Sequence, residues 1–453
     1  MDVVTLSRIQ FALTSGFHYI YPPLSIGLGL MLVIFEGIYL KTKQPLFKQI
    51  TKFWVNIFAL TFALGVATGL VQLFGFGTNW ARYSRYVGDV FGSALGAEGV
   101  FAFFLEAGFL GVMLFGWERV SAKMHYVSTI CVALGAHFSA IWIVVANSWM
   151  QTPAGFKIVG EGTKAKAVVT DFWAMIFNPS SIDRLTHVIL GCWLSGIFLV
   201  LSITAYYYLK KRHMAFARPT MKIALWAAAV VLVLQLISAD STARGVAFNQ
   251  PSKLAAMEGV YETEKATPMT VIGWVDTTNE TVKGLKIPAL LSFFVHRDFE
   301  TPVTGFDQIP HDERPPISVV FQAYHLMIMM WCLMVLVTLA AFYAWKKKKL
   351  EKAKWVLWGL VISVFFPQIA NQTGWMTAEI GRQPWVVWKL LRTAHGVSPS
   401  ISSHQVMMSI IMFIVIYSLL FALFIFLLDR KIKHGPKAED LVYSDVFQKV
   451  KND

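Results

Sequence analysis

The sequence predicts an all-α integral membrane protein of nine transmembrane helices, with the N-terminus outside and the C-terminus cytoplasmic. Three observations predict it. Hydrophobic residues make up 56% of the 453 residues and charged ones only 15%. The apolar residues are gathered into runs long enough to cross a bilayer core of about 30 Å, which takes about 20 helical residues. Lys and Arg concentrate in alternate connections, as the positive-inside rule requires of cytoplasmic loops.

The nine runs lie at about 12–40, 54–77, 94–117, 124–147, 185–209, 221–238, 318–344, 354–375 and 404–428. Lipid offers no water to backbone groups, so each run has to be helical. The alternating pattern of barrel strands is absent. The first run is too long, and lacks the basic leader, for a cleavable signal peptide. Residues 1–238 are therefore expected to hold helices 1–6, and 318–430 helices 7–9. Residues 431–453 are expected to form a cytoplasmic tail. The intervening 239–317 carries Pro251, Pro268, Pro288, Pro302, Pro310 and Pro315 and several charges, and reads as one exposed, loop-rich extracytoplasmic insertion.

The net charge of +13 is explained by topology rather than by nucleic acid. Lys346, Lys347, Lys348 and Lys349 form the densest basic run, followed by Lys210, Lys211 and Arg212, and the chain's last part carries Arg430, Lys431 and Lys433. Cys131, Cys192 and Cys332 each stand alone inside a span. No CxxC or CxxCH occurs, so neither a zinc site, a covalently attached heme nor a structural disulfide is expected.

Ionisable side chains in hydrocarbon are costly and usually functional. The candidates are His18, Glu36, Glu98, Glu106, His137, His187, His325, Glu379 and His404. The predicted topology puts His18, Glu98, His187, His325 and Glu379 in or beside the outer half of the membrane, on five helices. One polar or metal-bearing layer near the outer surface explains that clustering. Taken singly, each has a plainer reading: a lone intramembrane His commonly bonds a neighbouring helix. Met327 lies in the Met-rich run LMIMMW, and Glu36 is close enough to the cytoplasmic end to be solvated. Glu98 and Glu106 are harder to dismiss. Eight residues apart on one helix, they lie within about 80° of each other, with Glu106 about 12 Å deeper. Glycines 65, 69, 75, 77, 92, 96, 99, 108 and 111 allow close approach of helices or of a flat cofactor.

Several segments, ordered along nearly the whole chain, resemble subunit I of the cytochrome bd quinol oxidases. They are FALTSGFHYIYPPLSIG, FALGVATGLVQLFGFGTNW, GAEGVFAFFLEAGF, SAIWIVVANSWMQTPAG, PSKLAAMEGVYE and AEIGRQPWVVW. The resemblance implies a bacterial inner-membrane enzyme that oxidises quinol outside and reduces O2 to water with cytoplasmic protons, charging the membrane without pumping. It implies a low-spin heme b (b558) with His187 and Met327 as axial ligands. Two strong axial ligands suit electron transfer. It also implies a high-spin heme b (b595) and a heme d, or a heme b in its place, as a di-heme centre whose ligands correspond to His18, Glu98 and Glu379. Members differ in which heme occupies the His site and which the Glu site.

In that family quinol is oxidised at the loop between spans 6 and 7, and the residues implicated correspond to Lys253 and Glu258. A carboxylate acceptor suits a donor that loses protons with its electrons. Five residues apart on a helix means about 140°, so the two need not share a face. Glu106, Ser139 and Asn147 are candidates for the proton path, and Arg382 lies in the GRQPW segment near the di-heme site. The implied partners are subunit II, a small single-span accessory subunit, membrane quinol and O2. The chain departs from the family twice. Its quinol loop is of the short type, and His325 stands where many members carry Arg near the low-spin heme. A heme-free proton-coupled transporter or channel is the competing class, distinguished by the absence of visible absorbance.

Overall fold

The computed structural model describes residues 1–99 and 104–436. Their architecture is a helical bundle with short β-hairpins at one end. Eight stretches among the described residues are long and apolar enough to cross a membrane. The run expected at 94–117 falls partly outside the described residues; what is described of it is α5 (Gly88–Ala97), a π-type turn at Glu98–Gly99, and α6 (Phe104–Phe115).

The first span breaks in two. α1 (Val3–His18) and α2 (Tyr21–Thr42) meet at Tyr19–Ile20. Pro22 and Pro23 in the first turn of α2 have no N–H to give to α1 carbonyls, which suits a helix start and opposes a continuous helix. The break leaves His18 as the last residue of α1. α3 (Pro45–Thr78) returns across the bundle, and α4 (Ala81–Tyr86) links it to α5. α7 (Ala122–Gln151) is capped by the Ser121 hydroxyl. It leads to a small hairpin, β1 (Phe156–Val159) and β2 (Lys166–Val169), and to α8 (Phe172–Ile176).

α9 (Ser181–Lys210) is the most enclosed helix of the bundle. It lies backbone to backbone with α2 at Gly27 and Gly196. A Cβ on Gly196 would fall 2.1 Å from the Gly27 carbonyl carbon, so only glycine permits this crossing. α10 (Met214–Asn249) runs past the expected boundary at 238 because nothing in that stretch breaks a helix. It stops at Gln250, whose position before Pro251 disfavours helical backbone.

The insertion is therefore shorter and more ordered than its prolines suggested. It holds α11 (Pro251–Glu258), an antiparallel hairpin of β3 (Met269–Asp276) and β4 (Thr281–Ile287), and α12 (Leu290–His296). Asp276 closes the hairpin turn. Its carboxylate accepts from Asn279 Nδ2 and Lys283 Nζ, both at 2.9 Å, and these bonds hold it well below the usual carboxylate range. Gly259 ends α11 at φ +69°, where a Cβ would also fall 2.4 Å from Val282 Cγ2.

α13 (Ile317–Lys346) follows, then α14 (Lys354–Ile362) and α15 (Phe365–Ile380), which together form one span. A short hairpin, β5 (Trp385–Val387) and β6 (Leu391–Arg392), and α16 (Thr393–Gly396) precede α17 (Ser403–His434). The connections sort to two ends. The insertion shares its end with the 381–402 segment, where Arg392 Nη2 donates to Asp312 Oδ2 at 2.5 Å. The opposite end gathers basic connections, with Lys48 on Glu118 at 3.0 Å and Arg218 on Glu351 at 2.9 Å.

Candidate heme and quinol sites

α7 serves as a ruler for the polar interior, because its residues meet most of the candidates in turn from the insertion end inward. At Asn147, the side-chain amide donates to Glu379 Oε1 at 2.9 Å while its carbonyl accepts from Arg184 Nη2. Eight residues, or about 12 Å, deeper, the Ser139 hydroxyl donates to Glu98 Oε1 at 2.5 Å. One turn further, Gly135 makes room for Glu106: a Cβ there would lie 2.8 Å from Glu106 Cβ. Glu106 is thus about one helical turn beyond Glu98 on this scale, not the two turns expected from a regular third helix. The expected single outer layer is instead a ladder of groups at increasing depth.

His18 is prepared to be a ligand. The Thr68 hydroxyl donates to Leu64 O at 2.7 Å, so it accepts from His18 Nδ1 at 2.9 Å. The ring proton is thereby fixed on Nδ1, and Nε2 keeps a lone pair, the second-neighbour arrangement typical of metal-binding His. Gly69 lets the ring lie flat against α3, with a Cβ there 3.1 Å from His18 Cε1.

His187 and Met327 are brought to one level by α15. Gly374 of α15 sits under Met327, where a Cβ would fall 2.8 Å from Sδ. One turn deeper, Asn371 Nδ2 donates to Gly191 O at 3.3 Å and to the Ser195 hydroxyl at 2.9 Å. Gly191 lies one turn deeper than His187 on α9, so Gly374 and His187 share a depth. Gln235 of α10 approaches the His187 ring at 3.1 Å.

Glu379 lies beside a cationic cluster. Arg382 Nη2 donates to Oε2, while Asn147 and Gln151 donate to Oε1. Behind them, Lys253 Nζ donates to Gln151 Oε1 and, at 2.6 Å, to Gln250 Oε1. Arg382 and Lys253 are 2% and 1% exposed and Arg184 is partly buried, so three cations gather on one side of a half-buried carboxylate. Burial, with Arg184 and Arg382 nearby, pushes the Lys253 ammonium well below the usual lysine range. Arg184 Nε, Arg382 Nε and Nη1, Gln250 Nε2 and Trp385 Nε1 are buried without hydrogen-bond partners among the described residues. Unused donors and surplus positive charge fit the carboxylate substituents of a heme. Room for a flat ring fits too: among the described residues, a Cβ at Gly92, Gly96 or Gly99 would meet nothing within 4 Å.

The two residues expected at the quinol site part company. Glu258, expected in an exposed loop, is only 3% exposed. Burial pushes its carboxyl up, against the opposing effects of the His325 charge and a Tyr324 hydrogen bond. Its Oε2 and the nearby Tyr261 hydroxyl are buried without partners among the described residues. His325 pins the hairpin to α13, its Nδ1 lying 2.9 Å from Phe321 O and its Nε2 2.8 Å from Thr270 O. With both nitrogens on carbonyl oxygens, that ring offers no lone pair to iron. His137 is satisfied too, its Nδ1 on Ala133 O at 2.7 Å and its Nε2 accepting from Trp193 Nε1 at 2.8 Å.

Sequence reasoning missed Arg184 and Gln151. Arg184 lies three residues before His187, on one helical face with it, and that spacing was a usable signal. Gln151 carried none. Glu36 was read as solvated, yet it is 1% exposed and bonded to His125.

The chain matches the family described as cytochrome bd terminal oxidase subunit I over residues 6–436. It belongs to that family. Cytochrome bd ubiquinol oxidase subunit 1 of Bacillus subtilis (strain 168) is 37% identical over 452 residues, covering 97% of this chain and 96% of that protein. Cytochrome bd-II ubiquinol oxidase subunit 1 of Escherichia coli (strain K12) is 32% identical over 504 residues, covering 96% and 98%. The bd oxidase structure from Geobacillus thermodenitrificans superposes with a TM-score of 0.88 at 30% identity, covering 96% of this chain and 99% of that one. As a cytochrome bd subunit I, this chain is a multi-pass, heme-bearing membrane subunit of a quinol-oxidising terminal oxidase that works with a subunit II and O2. A heme-free transporter is excluded on the same ground.

Proposed function

We propose that this subunit oxidises quinol beside Glu258 at the insertion end, releases the quinol protons outside, and draws the protons for water from the opposite, basic end. The observation that supports it most is the α7 ladder. Two carboxylates read as iron ligands, Glu379 and Glu98, are held by Asn147 and Ser139 of one helix, and Glu106 of α6 packs one turn deeper against Gly135 of that helix.

When bound, the hemes supply the redox chemistry that takes electrons from quinol and delivers them to oxygen. The residues that would hold them are His187 and Met327 for low-spin heme b558, and His18, Glu98 and Glu379 for the pair formed by high-spin heme b595 and heme d or its heme b substitute. Arg184 and Arg382, with their unused donors, would meet heme carboxylates. Lys253 then acts from behind Gln151 and Gln250, anchoring the start of α11, and Glu258 carries the contact with quinol. The unused Oε2 of Glu258 accepts a quinol hydroxyl proton, and burial keeps the carboxyl basic enough to do so. Glu106 carries protons toward the oxygen site, with Ser139 fixing the Glu98 carboxylate. The protons released and taken up lie on opposite faces, so turnover charges the membrane without a pump.

In this reading the N-terminus and the insertion face outward from a bacterial inner membrane, the C-terminal tail is cytoplasmic, and a single-span accessory subunit completes the complex. The test is the reduced-minus-oxidised visible spectrum of the purified oxidase and of His18→Ala. The reading expects separate low-spin and high-spin components and loss of one high-spin component in the variant. Retention of every component in that variant would overturn the assignment of His18.

A further inference from the structure

At the basic end, away from every group used so far, α2, α6 and α7 enclose a second carboxylate–imidazole pair. Glu36 and His125 are each 1% exposed. Glu36 Oε1 lies 2.6 Å from His125 Nδ1, and Glu36 Oε2 accepts from the Thr129 hydroxyl at 2.6 Å. His125 Nε2 lies 3.2 Å from Met113 O. A carbonyl oxygen only accepts, so Nε2 carries a hydrogen. The 2.6 Å contact therefore holds one further proton, on His125 Nδ1 or on Glu36 Oε1, and either placement keeps every hydrogen bond. Such a pair exchanges a proton without moving a heavy atom.

Its place in the fold connects it to the ladder. Met113 is seven residues, close to two turns and about 10 Å, from Glu106 on the same face of α6. On α7, His125, Thr129, Ala136 and Ser139 follow one face toward Glu98, and the interval is lined by small residues, among them Gly29 against Ala133 and Gly135 against Glu106. Trp117 covers the imidazole at 3.7 Å between ring centroids.

We infer that Glu36 and His125 form the proton-loading station for Glu106, taking protons from the basic end and passing them along the α6–α7 interface. This rests on the reading of Glu106 as a proton carrier. The step balances simply. With His125 keeping both ring hydrogens, a proton from water at the basic end adds to the Glu36 carboxylate; the carboxylic acid gives it to a water between the helices, which protonates Glu106, and Glu36 is again a carboxylate beside the imidazolium. No electron moves. A purely structural ion pair would need neither a shared proton nor alignment with Glu106.

The experiment uses the complete oxidase in proteoliposomes with Glu36→Gln, Glu36→Asp and Glu106→Gln. Gln keeps an acceptor for Thr129 but cannot exchange a proton by ionising. The expected result is that Glu36→Gln keeps wild-type heme spectra and full reduction by quinol. Proton uptake from the basic-loop side and turnover should fall by about a hundredfold, the low side of what general acid–base groups contribute. Glu36→Asp should restore an intermediate rate. Wild-type proton uptake in Glu36→Gln overturns the inference, as does Glu36→Asp being as slow as Glu36→Gln. If Glu36→Gln does not assemble, the Asp variant alone decides: slowed uptake with intact spectra supports the station, and an unchanged rate overturns it. Normal turnover in Glu106→Gln overturns the carrier reading instead, so the two failures are distinguishable.

Discussion

Lys253 and Glu258 occupy opposite ends of one eight-residue helix and face different partners. Lys253 Nζ reaches back to Gln151 and Gln250, toward Glu379, whereas Glu258 lies among Tyr324, His325 and the β3–β4 hairpin. Charges on one short helix thus belong to two different environments, one joined to the cationic cluster and one to the hairpin.

Glu258→Gln is expected to slow quinol oxidation by roughly a hundredfold, the order contributed by a positioned base, with heme content retained. In the wild type the rate should fall as pH drops through the raised Glu258 pKa, because the base form is then lost. The variant should lack that limb. An identical pH profile in both proteins would remove Glu258 from the chemistry.

Lys253→Met separates the two environments. It should change the absorbance or retention of the hemes near Glu379 and leave the half-saturation for quinol within about twofold, since uniform substrate binding is untouched. A raised half-saturation with unaltered spectra would return Lys253 to the quinol site.

The spans and the ladder's carboxylates were legible in the sequence because a charge in hydrocarbon is conspicuous and a long apolar run has one physical solution. The break after His18 was also written there, in Pro22 and Pro23. What was not legible depends on distant partners. Nothing local distinguishes a Glu36 that is solvated from one sealed against His125, 89 residues away. The hairpin hid within a proline-rich segment whose strands alternate poorly. The end of α10 was misplaced because its last turns are polar, and a hydropathy boundary marks the membrane rather than the helix. The depth of Glu106 was counted along one regular α-helix, whereas the third span departs from that geometry at Glu98 and Gly99, and 100–103 lie outside the described residues.

His187→Ala and Met327→Leu should each convert or abolish the low-spin heme b spectrum while the high-spin bands persist. Both residues lie at the depth set by Gly374, so Gly374→Leu should give a milder version of the same defect by displacing Met327 Sδ. Low-spin spectra of wild-type shape in the first two variants would sink the ligand assignment.

Glu106→Gln should keep its hemes and remain reducible by quinol, yet turn over oxygen slowly. Gly135→Ala should cost about 1–3 kcal/mol of stability through overpacking and slow turnover by pushing Glu106 aside. Disappearance of the high-spin spectrum in Glu106→Gln would mean that the residue seats the cofactor instead.

In sealed right-side-out vesicles, trypsin should cut first at the exposed hairpin lysines Lys283 and Lys286 and spare Lys346–Lys349. Fragment masses read by gel or mass spectrometry decide the matter, and the reverse pattern would invert the orientation.

Because Asn147, Ser139 and Gly135 are read off a single helix, the spacing between them is itself a constraint. One residue inserted between Ser139 and Asn147 would swing one relative to the other by about 100° and lengthen their separation by about 1.5 Å, unfastening Glu98 or Glu379 while every original side chain remained present. The 160–165 connection between β1 and β2 has no such duty. Drift by insertion and deletion should therefore be tolerated a short way beyond α7 and forbidden within it, so that the helix is held to a fixed count as strictly as to its polar residues.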